Sequence, residues 1–133
     1  MAKQTGLAWD TLSVDSSAPS LTDIRNDVTN FEFATPRAVQ EVTGIDKSAM
    51  ERLLLLADFS ITLNGVFNEA LSHLIFRDVA STSVVRTVSI DISGNTLSNE
   101  CLLTDYQLTR GDDGSLTWSV PGVLADGAVP TWA

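Results

Sequence analysis

Short stretches of strict two-residue alternation, cut by turn-forming residues, constrain this chain more than any other feature. In residues 58–63 (DFSITL), Phe59, Ile61 and Leu63 fall on one side, and Asp58, Ser60 and Thr62 on the other. That is the pattern of a half-buried strand. Residues 84–92 (VVRTVSIDI) are rich in β-branched side chains and alternate too, with Val84, Val88, Ile90 and Ile92 on the face that carries Arg86. Residues 115–120 (SLTWSV) align Leu116, Trp118 and Val120. Gly, Pro, Asn and Asp recur about every ten to fifteen residues, the spacing of a meander of strands.

The rest of the chain fits around these strands. Residues 7–14 predict a first strand, and 15–20 a loop in which Pro19 bars regular structure. Residues 27–34 read as a strand ended by Thr35-Pro36, because the residue before proline is pushed out of the helical region. Residues 37–43 follow as a further strand, closed by Gly44. Asn64-Gly65 and Gly94-Asn95 read as turns, since these residues tolerate positive φ. Residues 100–109 form another strand, with Leu102, Tyr106 and Leu108 on one side and Cys101 and Leu103 breaking the alternation. Gly111 to Gly114 makes a hairpin turn, and Pro121-Gly122 ends the last regular strand.

Two segments carry helical signals. In residues 68–78, Phe67, Ala70, Leu71, Leu74 and Ile75 form one apolar stripe, with Asn68 as N-cap and Glu69 and Arg77 complementing the helix dipole. Residues 46–57 are ambiguous. Ser48 and Glu51 have capping-box spacing and the composition favours helix. The sum is roughly six to eight strands and one helix: a mainly β protein, an antiparallel sandwich or barrel with a flanking α-helix, spanning 1–133 as one domain.

Composition narrows the function. Seventeen acidic and eight basic residues give a net charge of −9, which would repel a phosphate backbone. The single cysteine, Cys101, forbids an internal disulfide and reads as a buried, inert thiol. Residues 1–5 are short and polar, without the apolar core of a signal peptide, and the longest purely apolar run, 53–57, is too short for a bilayer. The expectation is a soluble protein made in a cytoplasm, with no membrane partner.

No constellation for chemistry appears. His73 is the only histidine, expected on the polar helix face between Glu69 and Arg77, a surface charge ladder rather than a catalytic base. There is no nucleophile elbow, and too few His and Cys for the usual zinc site. Asp112 and Asp113 between glycines are turn formers, and adjacent carboxylates do not face each other across a cleft as glycosidase pairs do. The expectation is no catalytic, cofactor or metal site, with a small hydrolase using Asp112 or His73 as the rival least supported. Trp9, Trp118 and Trp132 read as core or interface residues, and the apolar tail ending at Trp132 packs on its own domain or on a neighbour.

Several stretches together resemble a known family. They are residues 42–49 (VTGIDKSA) with 55–60 (LLADFS), residues 61–68 (ITLNGVFN), residues 106–110 (YQLTR) with the glycine-flanked turn and Leu116-Thr117-Trp118, and the ending 123–127 (VLADG) with 129–132 (VPTW). From about residue 40 onward the chain is similar to the major tail tube proteins of siphophages, phages with long non-contractile tails, and among them to those infecting actinobacteria. The first forty residues resemble the family mainly in length and strand rhythm. The resemblance implies a β-sandwich whose copies form hexameric rings, one sheet of each closing a continuous barrel around a channel.

It further implies that rings stack into the tail through an N-terminal arm, here residues 1–10, and a long loop, here about 36–58. That loop is often extended in the family, which lowers the helical reading of 46–57. Candidate interface residues are Trp9, Ile45, Met50, Leu53, Leu55 and Trp132. A negative channel lining would keep DNA from sticking in transit, with Glu32, Asp91 and Asp105 as candidates because they fall on expected strands. The implied partners are further copies of the chain, a tape measure protein inside the tube, phage DNA, and terminator and baseplate proteins at the ends, in a virion tail assembled in the host cytoplasm. The alternative is another tail component, a terminator or baseplate adaptor, that does not polymerise.

Overall fold

The computed structural model describes residues 4–7, 9–16 and 21–133. Residues 1–3 and 8 of the expected arm, and 17–20 of the expected loop with Pro19, lie outside the described residues. Ten strands and one short helix follow in order: β1 (Thr11–Asp15), β2 (Leu21–Asp23), β3 (Val28–Ala34), β4 (Arg37–Glu41), β5 (Arg52–Ala57), β6 (Ser60–Val66), α1 (Ser72–Phe76), β7 (Arg86–Ile92), β8 (Asn95–Leu103), β9 (Gln107–Arg110) and β10 (Leu116–Leu124). Eight strands form one sheet in the order β2-β1-β7-β8-β10-β6-β3, with β9 alongside β10, while β4 and β5 pair only with each other. Every pairing is antiparallel.

The large sheet curls until its two halves share one core. Leu12, Val14, Val88, Ile90, Leu97 and Cys101 come from one half, and Ile61, Leu63, Trp118 and Val120 from the other. Trp9, just before β1, sets its ring edge-on to Phe31 of β3 at 5.0 Å, so the opposite ends of the sheet meet. The alternating residues Phe59, Ile61 and Leu63 are buried, as are Arg86, Val88 and Ile90. Val84 lies ahead of its strand and is exposed.

Strand β10 is the hub. Its first half pairs with β9 through Ser119, its second half with β8 from Gly122, and its other edge with β6 along Thr117 to Val123. The expected strand end at Pro121-Gly122 is therefore corrected, since β10 runs through both. Thr104 N–H donates to Pro121 O at 3.1 Å, so that carbonyl, and the donor proline lacks, face the junction where β9 gives way to β8. Cys101 and Leu103 lie at the end of β8, and the expected strand 100–109 breaks at residues 104–106.

Asn64-Gly65 is also not a turn but part of β6. Glycine is needed there for closeness: a Cβ on Gly65 would sit 2.2 Å from Asp27 O and 2.5 Å from the Trp118 ring. The turn joining β7 and β8 is Ser93-Gly94, one residue earlier than expected, with φ of 52° and 79°. Positive φ at both positions is what a two-residue hairpin of matching twist requires. The Gly111 to Gly114 turn stands where expected, closed by Gly111 N–H to Ser115 O at 2.8 Å.

The helix is much shorter than 68–78. Only Ser72–Phe76 is helical, and Asn68 is not its N-cap. Asn68 instead nucleates the preceding turn, its Oδ1 accepting from Ala70 N–H at 3.0 Å. The carboxylate of Asp27 meets the first turn from 45 residues away, accepting from Ser72 N–H at 3.0 Å. The buried residues are Ser72, Ile75 and Phe76, while Leu74 of the expected stripe is exposed. Arg86, 1% exposed, anchors the far end by donating to Ile75 O and pairing with Asp78 Oδ1 at 2.6 Å.

Two outcomes follow from this packing. Gly65→Ala must displace the Trp118 ring or the Asp27 backbone, so urea denaturation should show a loss of about 2 kcal/mol or more. A change within about 0.5 kcal/mol would mean the contact is looser than described. Burial, with Glu100 and Asp126 nearby, pushes the Cys101 thiol up from 9.0 to about 12. The folded state thus keeps a proton that the unfolded thiol releases above about pH 9. Stability contributed by this group is full below that pH and falls as pH rises toward 12. Native protein should leave a thiol reagent unreacted at pH 8 and react fully once unfolded.

Candidate assembly interface

The hairpin of β4 and β5 joins the expected strand after Pro36 to the segment 46–57, whose local composition favours helix. Residues 52–57 are extended, pairing Glu41 with Arg52, Gln40 with Leu53, Val39 with Leu54 and Arg37 with Ala57. Cross-strand pairing overrides the Ser48–Glu51 capping spacing. The base is fixed by Asp58 N–H to Pro36 O at 3.0 Å. Nε and Nη2 of Arg37 both donate to Leu55 O, at 3.0 and 2.8 Å. Near the tip, Thr43 Oγ1 accepts from Glu51 N–H at 2.8 Å and Val42 N–H donates to Glu51 O at 2.9 Å.

Neighbouring residues of a strand point to opposite faces. The run Leu53 to Leu56 therefore makes both faces of this hairpin apolar. Val39, Leu53, Leu54 and Leu55 are exposed, Leu56 is 90% exposed, and Ile45 at the tip is fully exposed beside exposed Met50. A lone two-stranded hairpin is marginal in water even with one protected face. The chain exposes 8528 Å² in all. A compact monomer of 14.3 kDa would expose about 6,800 Å², so roughly 1,700 Å² is surplus. That surplus is about twice the roughly 800 Å² that each partner contributes to a standard protein–protein interface.

Of the interface residues read from sequence, Ile45, Met50, Leu53 and Leu55 all lie on this hairpin. Trp9 and Trp132 do not. Trp9 packs on Phe31, its Nε1 donating to Thr11 O at 3.1 Å. The tail docks within its own chain: Ala133 and Thr96 exchange backbone hydrogen bonds of 2.8 and 3.1 Å. Trp132 lies 6.1 Å from Phe33, with 46% of its surface left open. Val39, Leu54 and Leu56 are exposed residues the sequence reading missed. Four consecutive leucines were the available signal, because no strand can bury all four against one surface.

Three further strands have a single neighbour among the described residues: β2 pairs only with β1, β3 only with β6, and β9 only with β10. Together β3-β6-β10-β9 form a four-stranded unit with two open edges. Its outward face carries Asn30, Glu32, Thr62, Asn64, Gln107, Thr109, Thr117 and Ser119, with exposed Val66 and Val123 among them and Glu32 the one charge. Asp91 lies on the outward face of the other half, in register with Thr11 of β1 and Thr96 of β8. Asp105 is not on a strand. It sits in the loop between β8 and β9, its Oδ1 accepting from Tyr106 N–H at 2.8 Å.

His73 departs from the expected charge ladder. Its ring lies 5.0 Å from Phe67 and 5.9 Å from Tyr106, with Nδ1 3.3 Å from the Tyr106 hydroxyl. Asp113 serves its turn, accepting from Ser115 N–H at 3.1 Å, and this bond holds its carboxyl below the usual range. Among the described residues no three His, Cys, Asp or Glu side chains cluster as metal ligands, and no helix is long and apolar enough to cross a membrane.

No protein-family profile and no curated protein matches the chain. Solved structures do. A chain from the virion of a native gene transfer agent particle superposes with a TM-score of 0.76 at 15% identity, covering 98% of this chain and 99% of that one. A chain from the tail of an empty gene transfer agent particle, refined helically with C6 symmetry, gives 0.70 at 16% identity over 98% of each. A chain of the phage p2 baseplate in its activated conformation gives 0.56 at 12% identity, over 88% of this chain and 44% of that one. This chain therefore has a phage tail tube-like fold, mainly antiparallel β with one short helix.

Proposed function

We propose that this chain is a structural subunit of a long, non-contractile phage tail, assembling with copies of itself into stacked hexameric rings around a hollow channel. The observation that carries the reading is the β4–β5 hairpin, apolar on both faces and left largely exposed by the described residues of its own chain. The end-to-end likeness to a chain of a C6-symmetric tail supports it. Scaffolding of this kind calls for no catalytic group.

The open edges of β3 and β9 supply the ring contact. Pairing β3 of one copy with β9 of the next satisfies their free N–H and C=O groups and closes a barrel without an edge. That contact is head-to-tail, so it closes once the rotation per copy divides a full turn. It places the β3-β6-β10-β9 face, hydroxyl- and amide-rich and without a lysine or arginine, toward the channel. Glu32 then repeats once per copy around the lumen and repels passing DNA. Asp91, on the other half of the sheet, and Asp105, in its loop, fall outside this lining. A tape measure protein inside the tube, and terminator and baseplate proteins at its ends, complete the set of partners.

The likeness to a baseplate chain favours the second reading, a tail component that does not polymerise. Negative-stain microscopy separates the two. Purified protein at high concentration should form rings or tubes, and a fixed small oligomer under every condition would select the second reading. Within the first, Glu32→Lys should leave tubes intact and make them retain short DNA in co-sedimentation, with retention falling steeply as salt rises. Equal DNA retention by both proteins would remove Glu32 from the lumen.

A further inference from the structure

The hairpin has two chemically different ends, and they complement each other. At its base, Leu54, Leu55, Leu56, Ala57 and Val129 line an open groove of about 790 Å³, with Arg37 at the rim. The Arg37 guanidinium donates to a carbonyl and has no carboxylate partner among the described residues. At the tip, Ile45 and Met50 project fully or half exposed, flanked by Asp46 and Glu51. Neither carboxylate takes part in an ion pair among the described residues. An apolar knob with acidic flanks thus has a counterpart in an apolar groove with a basic rim.

One copy cannot join its own two ends. The five residues of β4 alone hold the tip about 16 Å from the groove. We infer that the tip of one hairpin docks into the base groove of the hairpin on another copy, Ile45 and Met50 filling the groove and Asp46 meeting Arg37. The occupant is a second copy of this chain, and the inference rests on the self-assembly proposed above. A contact between unlike ends leaves a free tip and a free groove after each addition. With a rotation that does not close, such a contact propagates along one axis, which a closed ring contact cannot do. The hairpin's second apolar face remains available to the body of the copy it crosses.

Charge reversal tests the docking. Arg37→Glu and Asp46→Arg each set like charges together across the contact, and each should raise the protein concentration needed for tubes by about tenfold. The double variant restores opposite charges and should return to within about threefold of the unmodified chain. Arg37→Glu also removes two hydrogen bonds inside the hairpin, so a mixture of the two single variants is decisive. In the mixture each tip finds an oppositely charged groove only on the other variant. Tubes from the mixture, at concentrations where neither variant assembles alone, support the docking, since a damaged hairpin cannot be repaired in trans.

A second arm places Ile45→Cys with Val129→Cys in one chain, where buried Cys101 stays out of the exchange. Oxidised tubes should run as a ladder of covalent oligomers. Tubes that give no ladder, or that form equally well from every charge variant, overturn the docking and leave the tail reading standing. Failure of the unmodified chain to assemble at all overturns both.

Discussion

The structure turns on a single close approach, the Trp118 ring lying across Gly65. Trp118 is 2% exposed on the one strand that pairs with three others. Its Nε1 donates to Val66 O at 2.9 Å, and its ring lies 5.1 Å from Phe76 of the helix. The indole thereby links β10, β6 and α1 in one contact. It needs a strand position with no side chain, which Gly65 provides. The irregular register of β3 between Val28 and Asn30 falls opposite the same point. A bulge there lets the Asp27 carbonyl reach Val66 N–H at 2.9 Å while the ring passes beneath.

From that point the helix is held by charge as much as by apolar contact. Five residues are too few to sustain a helix alone. Asp27 meets its first N–H groups and Arg86 its last carbonyls, and both side chains belong to the sheet region. Arg86 occupies a core position whose neighbours in alternation are Val88 and Ile90. A buried guanidinium is costly unless its donors are matched. Here Ile75 O and the Asp78 carboxylate match them, so the charge fixes where the segment after α1 must lie. Removing Asp78 alone would be worse than removing the pair, because an uncompensated cation would remain inside.

Alternation made the strands legible because one face of each is buried and the other wet. Phe59-Ile61-Leu63 and Arg86-Val88-Ile90 carry that signal in their own residues. Gly65 and Pro121 misled for a common reason: each is explained by a neighbour far away in sequence. Glycine at 65 answers to a tryptophan 53 positions on, and proline at 121 to a junction between two other strands. The helix was overextended because its stripe was matched to residues facing a turn rather than the core. In 46–57 no amount of local pattern could choose, since helix and hairpin differ there only in long-range pairing. The exposed residues of the hairpin were legible as apolar side chains without a surface to bury against. Which faces they take was not, because that depends on the register between β4 and β5.

The molecule divides its surface between two opposed tendencies. Its body is closed and its core well filled, and the net charge of −9 pushes copies apart. In the assembly proposed above, its hairpin and open edges draw copies together over an area sufficient for a stable contact. The attraction is local and mainly apolar, whereas the repulsion is long-ranged and screened within about 8–10 Å at ordinary ionic strength. Copies that meet in the wrong orientation feel mostly repulsion. Copies that meet hairpin to groove and edge to edge bury the leucines and pair the strands before the charge matters. A chain uniformly less acidic would associate more readily, but through many geometries rather than one. The acidic surplus would thus make the proposed assembly selective, without a residue dedicated to that task.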